Sequence, residues 1–93
     1  MPTSTSTFVT ENGQKYLTQL VKHFAHKIDA AADGDEGYAN FVCGKAKFFA
    51  DELGLRMDID SPDQEALEKT QEIVEVHLVR FAFREKLEKL DWA

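Results

Sequence analysis

The sequence predicts an α+β fold, a two-layer sandwich in which two helices cover one face of an antiparallel sheet. Two segments carry apolar residues at helical spacing, and the segments around them alternate apolar with polar residues, as half-buried strands do. The predicted order of elements is β-α-β-β-β-β-α. Two amphipathic helices need a partner for their apolar stripes, and one face of such a sheet supplies it.

The first third of the chain predicts a strand followed by a helix. Residues 3–9 are rich in serine and threonine and predict an edge strand with one solvent-exposed face. Residues 13–27 predict an amphipathic helix, for which Thr10 or Asn12 can act as the N-cap. The apolar stripe of this helix recurs at helical spacing and consists of Leu17, Leu20, Val21, Phe24 and Ile28.

Four more strands are expected between the two helices. Residues 29–32 give the weakest strand pattern, because alanine has low strand propensity. Residues 38–43 and 45–51 predict a hairpin that turns at Gly44, and alternation over residues 55–59 predicts the last strand. The face of the sheet away from the helices is expected to be mixed, and so suited to a covering partner. Its predicted members are Tyr38, Asn40, Val42, Lys47, Phe49, Arg56 and Asp58.

The second helix has a strong predicted start and two apolar stripes. Ser61 as N-cap, Pro62 and Gln64 form a capping box, and the helix is expected to reach Leu87 or Leu90. One helix on one sheet cannot bury both stripes. The apolar stripe that stays uncovered predicts a homodimer or partner contact through this helix. The alternative is that the helix ends early and the residues after it fold over the sheet edge. The second stripe is Val76, Phe83, Leu87 and Leu90.

Size and composition narrow the class of protein. The 93 residues are expected to form one domain, residues 1–93. A formal net charge of −6 argues against non-specific nucleic-acid binding, which needs a basic surface. The one cysteine, Cys43, cannot form an internal disulfide. With no signal peptide and no long apolar segment, the sequence predicts a cytoplasmic protein that does not enter the membrane.

A cationic stripe on the second helix is the first candidate site. His77, Arg80 and Arg84 share one side of the predicted helix, and Lys27 of the first helix can join them. Guanidinium groups bind carboxylates and phosphates with two parallel hydrogen bonds, so this stripe predicts an anion site. The alternative is ordinary pairing with acidic residues of the same chain.

Imidazoles and one carboxylate supply two further candidates. His23, His26 and His77 lie on helices expected to pack together, and they could hold zinc, iron or haem. Glu85 falls near the middle of the first apolar stripe of the second helix, which consists of Leu67, Val74, Leu78 and Phe81. A carboxylate there predicts a salt bridge with Lys27 or His23, or else a general acid with a raised pKa. No nucleophile motif or phosphate loop is present, so no catalytic residue is assigned and no particular cofactor is indicated.

Several segments together carry a family resemblance that runs over nearly the whole chain. They are Tyr16-Leu17-x-x-Leu20, Lys22-His23-Phe24-x-His26-Lys27, Gly37, His77-Leu78-x-Arg80-Phe81-Ala82-Phe83-Arg84-Glu85 and Trp92. With them the sequence resembles the bacterial domain of unknown function 2218 family. It departs from that family at residues 30–32, where relatives are bulkier. The resemblance implies a fold similar to the TATA-binding-protein-like arrangement of one strand, a helix, four strands and a helix.

The resemblance also bears on function. Some relatives are joined to siderophore-interacting, ferric-siderophore-reductase-like flavoproteins, which implies an association with iron uptake and a partner there. It implies that a family function would sit at His23, His26, Lys27, His77, Arg80, Arg84 and Glu85. The expected function is a non-catalytic accessory or binding module for a partner or a small anionic ligand. The alternatives are a metal- or haem-binding protein that uses His77 with His23 or His26, and an enzyme with His77 and Glu85 as acid and base.

Overall fold

The computed structural model describes residues 2–93 and confirms the α+β fold and the predicted order of elements. The strands and helices, in chain order, are β1 (Thr3–Val9), α1 (Gly13–Phe24), β2 (Asp29–Asp33), β3 (Glu36–Phe41), β4 (Gly44–Asp51), β5 (Gly54–Asp60) and α2 (Gln64–Phe81), with a short 3-10 helix at Phe83–Glu85. Neither α-helix within residues 2–93 is long and apolar enough to span a membrane.

The five strands form one antiparallel sheet in the order β1-β5-β4-β3-β2. The prediction that β1 is an edge strand is therefore confirmed. The outer edge of β1 is partly covered by the end of the described chain. Thr5 donates its backbone N–H to the Ala93 carbonyl at 3.1 Å, and Ala93 donates to the Thr5 carbonyl at 2.8 Å.

Both helices pack on the same face of the sheet, as the two-layer prediction requires. Apolar residues at helical spacing meet apolar residues at alternate strand positions, and together they exclude water. The fully or almost fully buried apolar residues include Leu17 and Leu20 of α1, Phe48 of β4, Leu55, Met57 and Ile59 of β5, and Val74 and Leu78 of α2. The opposite face of the sheet is not covered by either helix.

The start of α2 differs from the predicted capping box. Asp63 is the N-cap, and its carboxylate accepts the Ala66 N–H at 2.8 Å. Ser61 is buried instead, with its hydroxyl 3.4 Å from that of Thr70. Its backbone N–H donates to the Pro2 carbonyl at 3.1 Å, which keeps Ser61 in the extended segment after β5. The prediction of Ser61 as N-cap is wrong because Asp63 offers an equally good cap two residues later.

The end of α2 is also earlier than predicted. The helix stops at Phe81, and the chain folds back over the edge of the sheet, with Lys86 in a left-handed conformation at φ 59°. Leu90 is buried, and its N–H donates to the Glu75 carboxylate at 2.6 Å. The helix end at Leu87 or Leu90 is therefore wrong, and the early-ending alternative is confirmed.

This early end changes the meaning of the second apolar stripe. Leu90 belongs to the core, and Leu87 packs against it from the folded-back segment. Only Val76 and Phe83 remain exposed, by 46% and 66%. The helix therefore does not carry the continuous apolar surface from which a homodimer was predicted.

Two turns also lie elsewhere than predicted. Helix α1 ends at Phe24 rather than Lys27, and Lys27 donates its N–H to the Phe24 carbonyl at 3.0 Å in the following turn. The hairpin between β3 and β4 turns at residues 42–43, with Phe41 opposite Gly44. Val42 thus lies in a turn and not on the open sheet face. The Cys43 sulfur accepts a hydrogen bond from the Thr70 hydroxyl at 3.1 Å.

Candidate functional site

A cleft opens where the last turn of α1 meets the middle of α2. Its volume is about 200 Å³, and it combines apolar walls with two imidazoles and one ammonium. The lining residues are His23, Phe24, Lys27, Ile28, Phe41, Ile73 and His77. Helix α1 and the turn after it supply the first four, β3 supplies one, and α2 supplies the last two. The cleft therefore depends on three separate elements.

The two imidazoles of the cleft face each other across the helix pair. The ring centroids of His23 and His77 are 4.9 Å apart, and their planes are inclined at 44°. Nδ1 of His77 lies 2.7 Å from the Ile73 carbonyl oxygen, one turn earlier in α2. A carbonyl oxygen only accepts, so Nδ1 must carry a proton. In the neutral ring, Nε2 of His77 is then the free acceptor.

His23 has a lowered pKa. The main cause is desolvation where its ring packs edge-on against Phe24 and Phe81, with centroids 5.8 Å from each. Positive charge on the neighbouring groups, His77, His26, Lys27 and Arg80 in order of effect, lowers the pKa of His23 further. The cleft therefore favours a neutral His23, because a proton there would add one more cation to a cationic rim.

Aromatic rings make the cleft rigid as well as apolar. Phe24 packs edge-to-face against Phe41 with centroids 4.9 Å apart, and against His77 with centroids 5.1 Å apart. Such tilted arrangements are the favoured geometry for aromatic pairs. Phe24 is 5% exposed, so its ring forms the floor of the cleft rather than a mobile cover.

The structure separates the predicted ligand-binding residues into two groups. His77, His23 and Lys27 line one cleft, and the charge of Arg80 reaches it. Arg84 follows the end of α2 and places its guanidinium carbon 5.7 Å from the Phe83 ring centroid. The predicted helical stripe of His77, Arg80 and Arg84 is therefore wrong at Arg84, because the helix ends before it.

The three predicted metal-ligand histidines divide in the same way. His26 is exposed in the turn that follows α1, whereas His23 and His77 form the pair described above. Within residues 2–93, no group of three His, Cys, Asp or Glu side chains has the geometry to hold a metal ion. Any site at the pair would thus have two protein ligands.

Glu85 lies beside the start of α1, whereas its predicted partners lie in the last turn of that helix and just after it. Its carboxylate accepts hydrogen bonds from the Thr10 hydroxyl at 2.7 Å, the Asn12 amide at 3.3 Å and the Tyr16 hydroxyl. These bonds, that of Thr10 first, hold the pKa of Glu85 below its ordinary value. Burial and then Glu85 raise the pKa of Tyr16 to about 12. The predicted pairing with Lys27 or His23 and the raised pKa of Glu85 are therefore wrong.

The cluster of Glu85 with Thr10, Asn12 and Tyr16 holds the segment after α2 against the start of α1. Its contribution to the stability of the fold should depend on pH. We expect Glu85→Gln to lower the free energy of unfolding by about 1 to 2 kcal/mol at neutral pH, since the site is partly solvated. The folded-state pKa of Glu85 lies below its unfolded value. Its contribution is therefore present above the unfolded-state pKa and is lost as pH falls through the folded-state pKa.

Urea unfolding of the parent and Glu85→Gln at neutral pH and at about pH 3 measures this difference. The difference in the free energy of unfolding between the parent and Glu85→Gln should be smaller at the lower pH. Glu88→Gln is the matched control, because Glu88 is an exposed glutamate three residues further along the chain. If this difference in the free energy of unfolding were the same at both pH values, then the carboxylate charge would not be what stabilises the cluster.

The apolar half of the cleft is what sequence reasoning missed. Phe41 and Ile73 are absent from the predicted ligand-binding set, although both line the cleft. The signal for Phe41 is the alternation in β3, which places it on the same face as the buried Ala39. Helical spacing places Ile73 four residues before His77. Neither pattern says that the two residues meet at one opening.

Comparison with known proteins agrees with this fold and adds a family. The chain is similar to PA4090 from Pseudomonas aeruginosa, whose structure was determined by NMR, with 32% sequence identity and a TM-score of 0.82. The similarity covers 100% of this chain and 96% of that one. No curated protein matches the sequence. The model of a family described as "Uncharacterized protein conserved in bacteria (DUF2218)" matches residues 5–93. The chain therefore belongs to the DUF2218 family of uncharacterized bacterial proteins.

Proposed function

We propose that this protein is a non-catalytic binding module that holds a small organic anion in the cleft between α1 and α2. The observation that carries the proposal is the composition of the cleft, in which Phe24, Ile28, Phe41 and Ile73 form apolar walls beside His23, His77 and Lys27. A ligand that suits both parts has an apolar body and one carboxylate or similar group.

The size of the cleft limits the ligand. Drug-sized ligands occupy pockets of roughly 300 to 1,000 Å³, and this cleft has about 200 Å³. It is thus matched to a small acid, or to one end of a larger molecule whose remainder stays in solvent. A role in ferric-siderophore handling is one setting for such a module, and it would require an acidic group of the ligand to enter here.

The charges of the cleft favour an anion. Lys27 contributes an ammonium group to the lining, and Arg80 adds a second positive charge nearby. Desolvation first, and then the neighbouring cations, lower the pKa of His23, so a bound anion would offset the effect of the cations and raise that pKa. Binding is therefore coupled to proton uptake by His23.

Binding, rather than catalysis, fits the lining residues. They include imidazole and ammonium groups but no carboxylate, hydroxyl or thiol. Glu85, the predicted acid–base partner of His77, contacts Thr10, Asn12 and Tyr16 instead. With no nucleophile beside them, the two imidazoles serve better as hydrogen-bonding partners for an anion.

Titration with benzoate and hexanoate, followed by two-dimensional NMR, tests the proposal. We expect shifts at residues of the cleft and affinity that rises from about pH 8 to about pH 6, as His23 becomes protonated. His77→Gln and Arg80→Gln should each weaken binding by about fivefold or more. Arg84→Gln is the matched control for Arg80→Gln, because Arg84 neither lines the cleft nor lowers the pKa of His23.

Two results would contradict the anion proposal. One is equal loss of affinity in Arg80→Gln and Arg84→Gln. The other is affinity that falls as the pH is lowered, since that would mean that the ligand prefers a neutral His23. Thermal unfolding of each variant shows whether the fold is retained, so that a loss of binding is not confused with a loss of structure.

A divalent transition metal bound by His23 and His77 is the second candidate. The favouring observation is the hydrogen bond from Nδ1 of His77 to the Ile73 carbonyl, because metal-bound imidazoles usually donate their other N–H to such an acceptor. The cations Lys27 and Arg80 oppose a bound metal ion, so this candidate ranks second. Zinc titration of the parent and His77→Gln separates the two: a metal site predicts tight binding that weakens as pH falls.

A further inference from the structure

We infer that the uncovered face of the sheet carries a second site, which binds a small zwitterion such as an amino acid with an apolar side chain. A cleft of about 380 Å³ lies on this face over strands β2, β3 and β4, away from the cleft between the helices. Its lining combines two carboxylates, two aromatic rings and one ammonium. The residues are Ala31, Ala32, Asp33, Glu36, Gly37, Tyr38, Lys47 and Phe49.

Strand register explains how these groups meet. Asp33 pairs with Glu36, and Glu36 pairs with Phe49, so these three side chains form one row across the sheet. Residues two positions along each strand point to the same face. The neighbouring row is therefore Ala31, Tyr38 and Lys47. The small side chain of Ala31 leaves a depression beside the Tyr38 ring.

The carboxylates of Asp33 and Glu36 lie opposite each other on adjacent strands, and neither forms an ion pair within the described part of the chain. Like charges directly opposite each other on adjacent strands are destabilising, and sheets usually avoid them. The ion pairs formed within residues 2–93 are Arg56 with Asp58 and Lys69 with Glu65. Asp33 and Glu36 thus form no ion pair with a described residue. An ammonium group bound between them would relieve their repulsion.

The aromatic part of the site is already oriented. The Tyr38 hydroxyl donates to the Asp29 carboxylate at 3.0 Å, and Asn40 donates to the other oxygen of Asp29 at 3.0 Å. These bonds hold the phenol ring at the edge of the depression, where it remains 37% exposed. An exposed, fixed ring can pack against an apolar side chain and can also attract an ammonium group.

Lys47 determines whether the site prefers a simple cation or a zwitterion as its ligand. It lies in the same row as Tyr38 and forms no ion pair with a described residue, so it would repel a simple amine and attract a carboxylate. With strands about 4.8 Å apart and a rise of about 3.4 Å per residue, the α-carbons of Glu36 and Lys47 lie about 8 Å apart. An α-amino acid can contact both charges across that span, with its side chain over Tyr38 and Phe49.

The test compares three probes that differ by one charged group each. L-Phenylalanine has both charges, 2-phenylethylamine lacks the carboxylate, and 3-phenylpropionate lacks the ammonium. We expect L-phenylalanine to shift the amide resonances of β2 and β3 at millimolar concentration, and each analogue to bind at these residues at least about fivefold more weakly. This site is independent of the anion cleft, so resonances of the cleft residues should not follow the same titration.

Variants make the assignment specific. Glu36→Gln and Lys47→Gln should each weaken the binding of L-phenylalanine by about fivefold or more. Lys45→Gln and Glu52→Gln are matched controls, because both residues are exposed and neither lines this cleft. They should change the affinity by less than about twofold.

Several outcomes would overturn the inference. Equal binding of 2-phenylethylamine and L-phenylalanine at these residues would show that Lys47 recognises no carboxylate. Equal effects of Lys47→Gln and Lys45→Gln would show general charge attraction only. No site-specific shift at about 10 mM ligand, or shifts that appear on protein dilution without ligand, would mean that the face is not a site for this ligand or is occupied by a second copy.

Discussion

Replacing Phe48 with alanine is expected to lower the free energy of unfolding by about 3 to 5 kcal/mol. Phe48 has no exposed surface and lies on β4, the central strand of the sheet. Both helices contact this strand, so the lost ring would leave a void that neither helix can fill without moving away from the other strands. A domain of this length has a total stability of roughly 5 to 14 kcal/mol, so one substitution removes a large share.

Urea unfolding at 25 °C measures the effect of Phe48→Ala. Phe83→Ala is the matched control, because Phe83 is the same residue type but 66% exposed. We expect the control to change stability by less than about 0.5 kcal/mol. Similar losses in the two variants would contradict the position of the core described here.

Replacing Gly54 with alanine should be the second most damaging change, with a loss of about 2 to 4 kcal/mol. Gly54 has a φ of 145°, which residues with a β-carbon rarely adopt, and a methyl group there would overlap the Phe8 carbonyl oxygen of the paired strand. Backbone strain of this kind costs about 1 to 3 kcal/mol, and overpacking costs a similar amount. The site cannot relax easily, because the obstructing atom belongs to the backbone of β1.

Gly34→Ala separates strain from crowding. Gly34 also has a positive φ, of 62°, but its added methyl group would have no atom within 4 Å. We expect this control to cost only about 1 kcal/mol, the strain alone. If thermal or urea unfolding gave equal losses of stability for Gly54→Ala and Gly34→Ala, then the close approach between β1 and β5 would not contribute to the loss in Gly54→Ala.

The candidate sites share a property that follows from the size of the chain. A domain of 93 residues has little interior to spare, so both clefts are open and shallow. One is rimmed by cations and the other by charges of both signs. The cleft between the helices therefore requires a negatively charged ligand, whereas the cleft on the sheet requires a ligand with both charges. One NMR titration series with charged and zwitterionic probes tests both proposals.

The fold was predictable because each element has a local pattern. The stripe in α1 and the alternation in β4 and β5 identify those elements without reference to the rest of the chain. Even the alanine-rich β2 forms, since pairing with β3 supplies the hydrogen bonds that its low propensity does not favour. Element ends were less predictable, because competing caps such as Ser61 and Asp63 differ little in intrinsic preference.

The candidate sites were predictable only in part. His77, His23 and Lys27 could be selected from helical spacing, but Arg84 and Glu85 were assigned to a helix that ends before them. Helix α2 stops at Phe81 because Leu87, Leu90 and Trp92 gain more by packing against the core than by continuing a helix in solvent. That gain depends on a surface built by other elements, and no local pattern reports it.

The sequence by itself determined the class of fold, the order of its elements and the residues that face the core, since these depend on periodicity within each segment. The tertiary structure alone decided which charged groups meet. It brought His23 to His77, Glu85 to Thr10 and Tyr16, and Asp33 to Glu36 beside Phe49. The physical reason is that such meetings depend on helix packing, strand register and chain reversal, which are set by the burial of the whole core rather than by neighbours in the sequence.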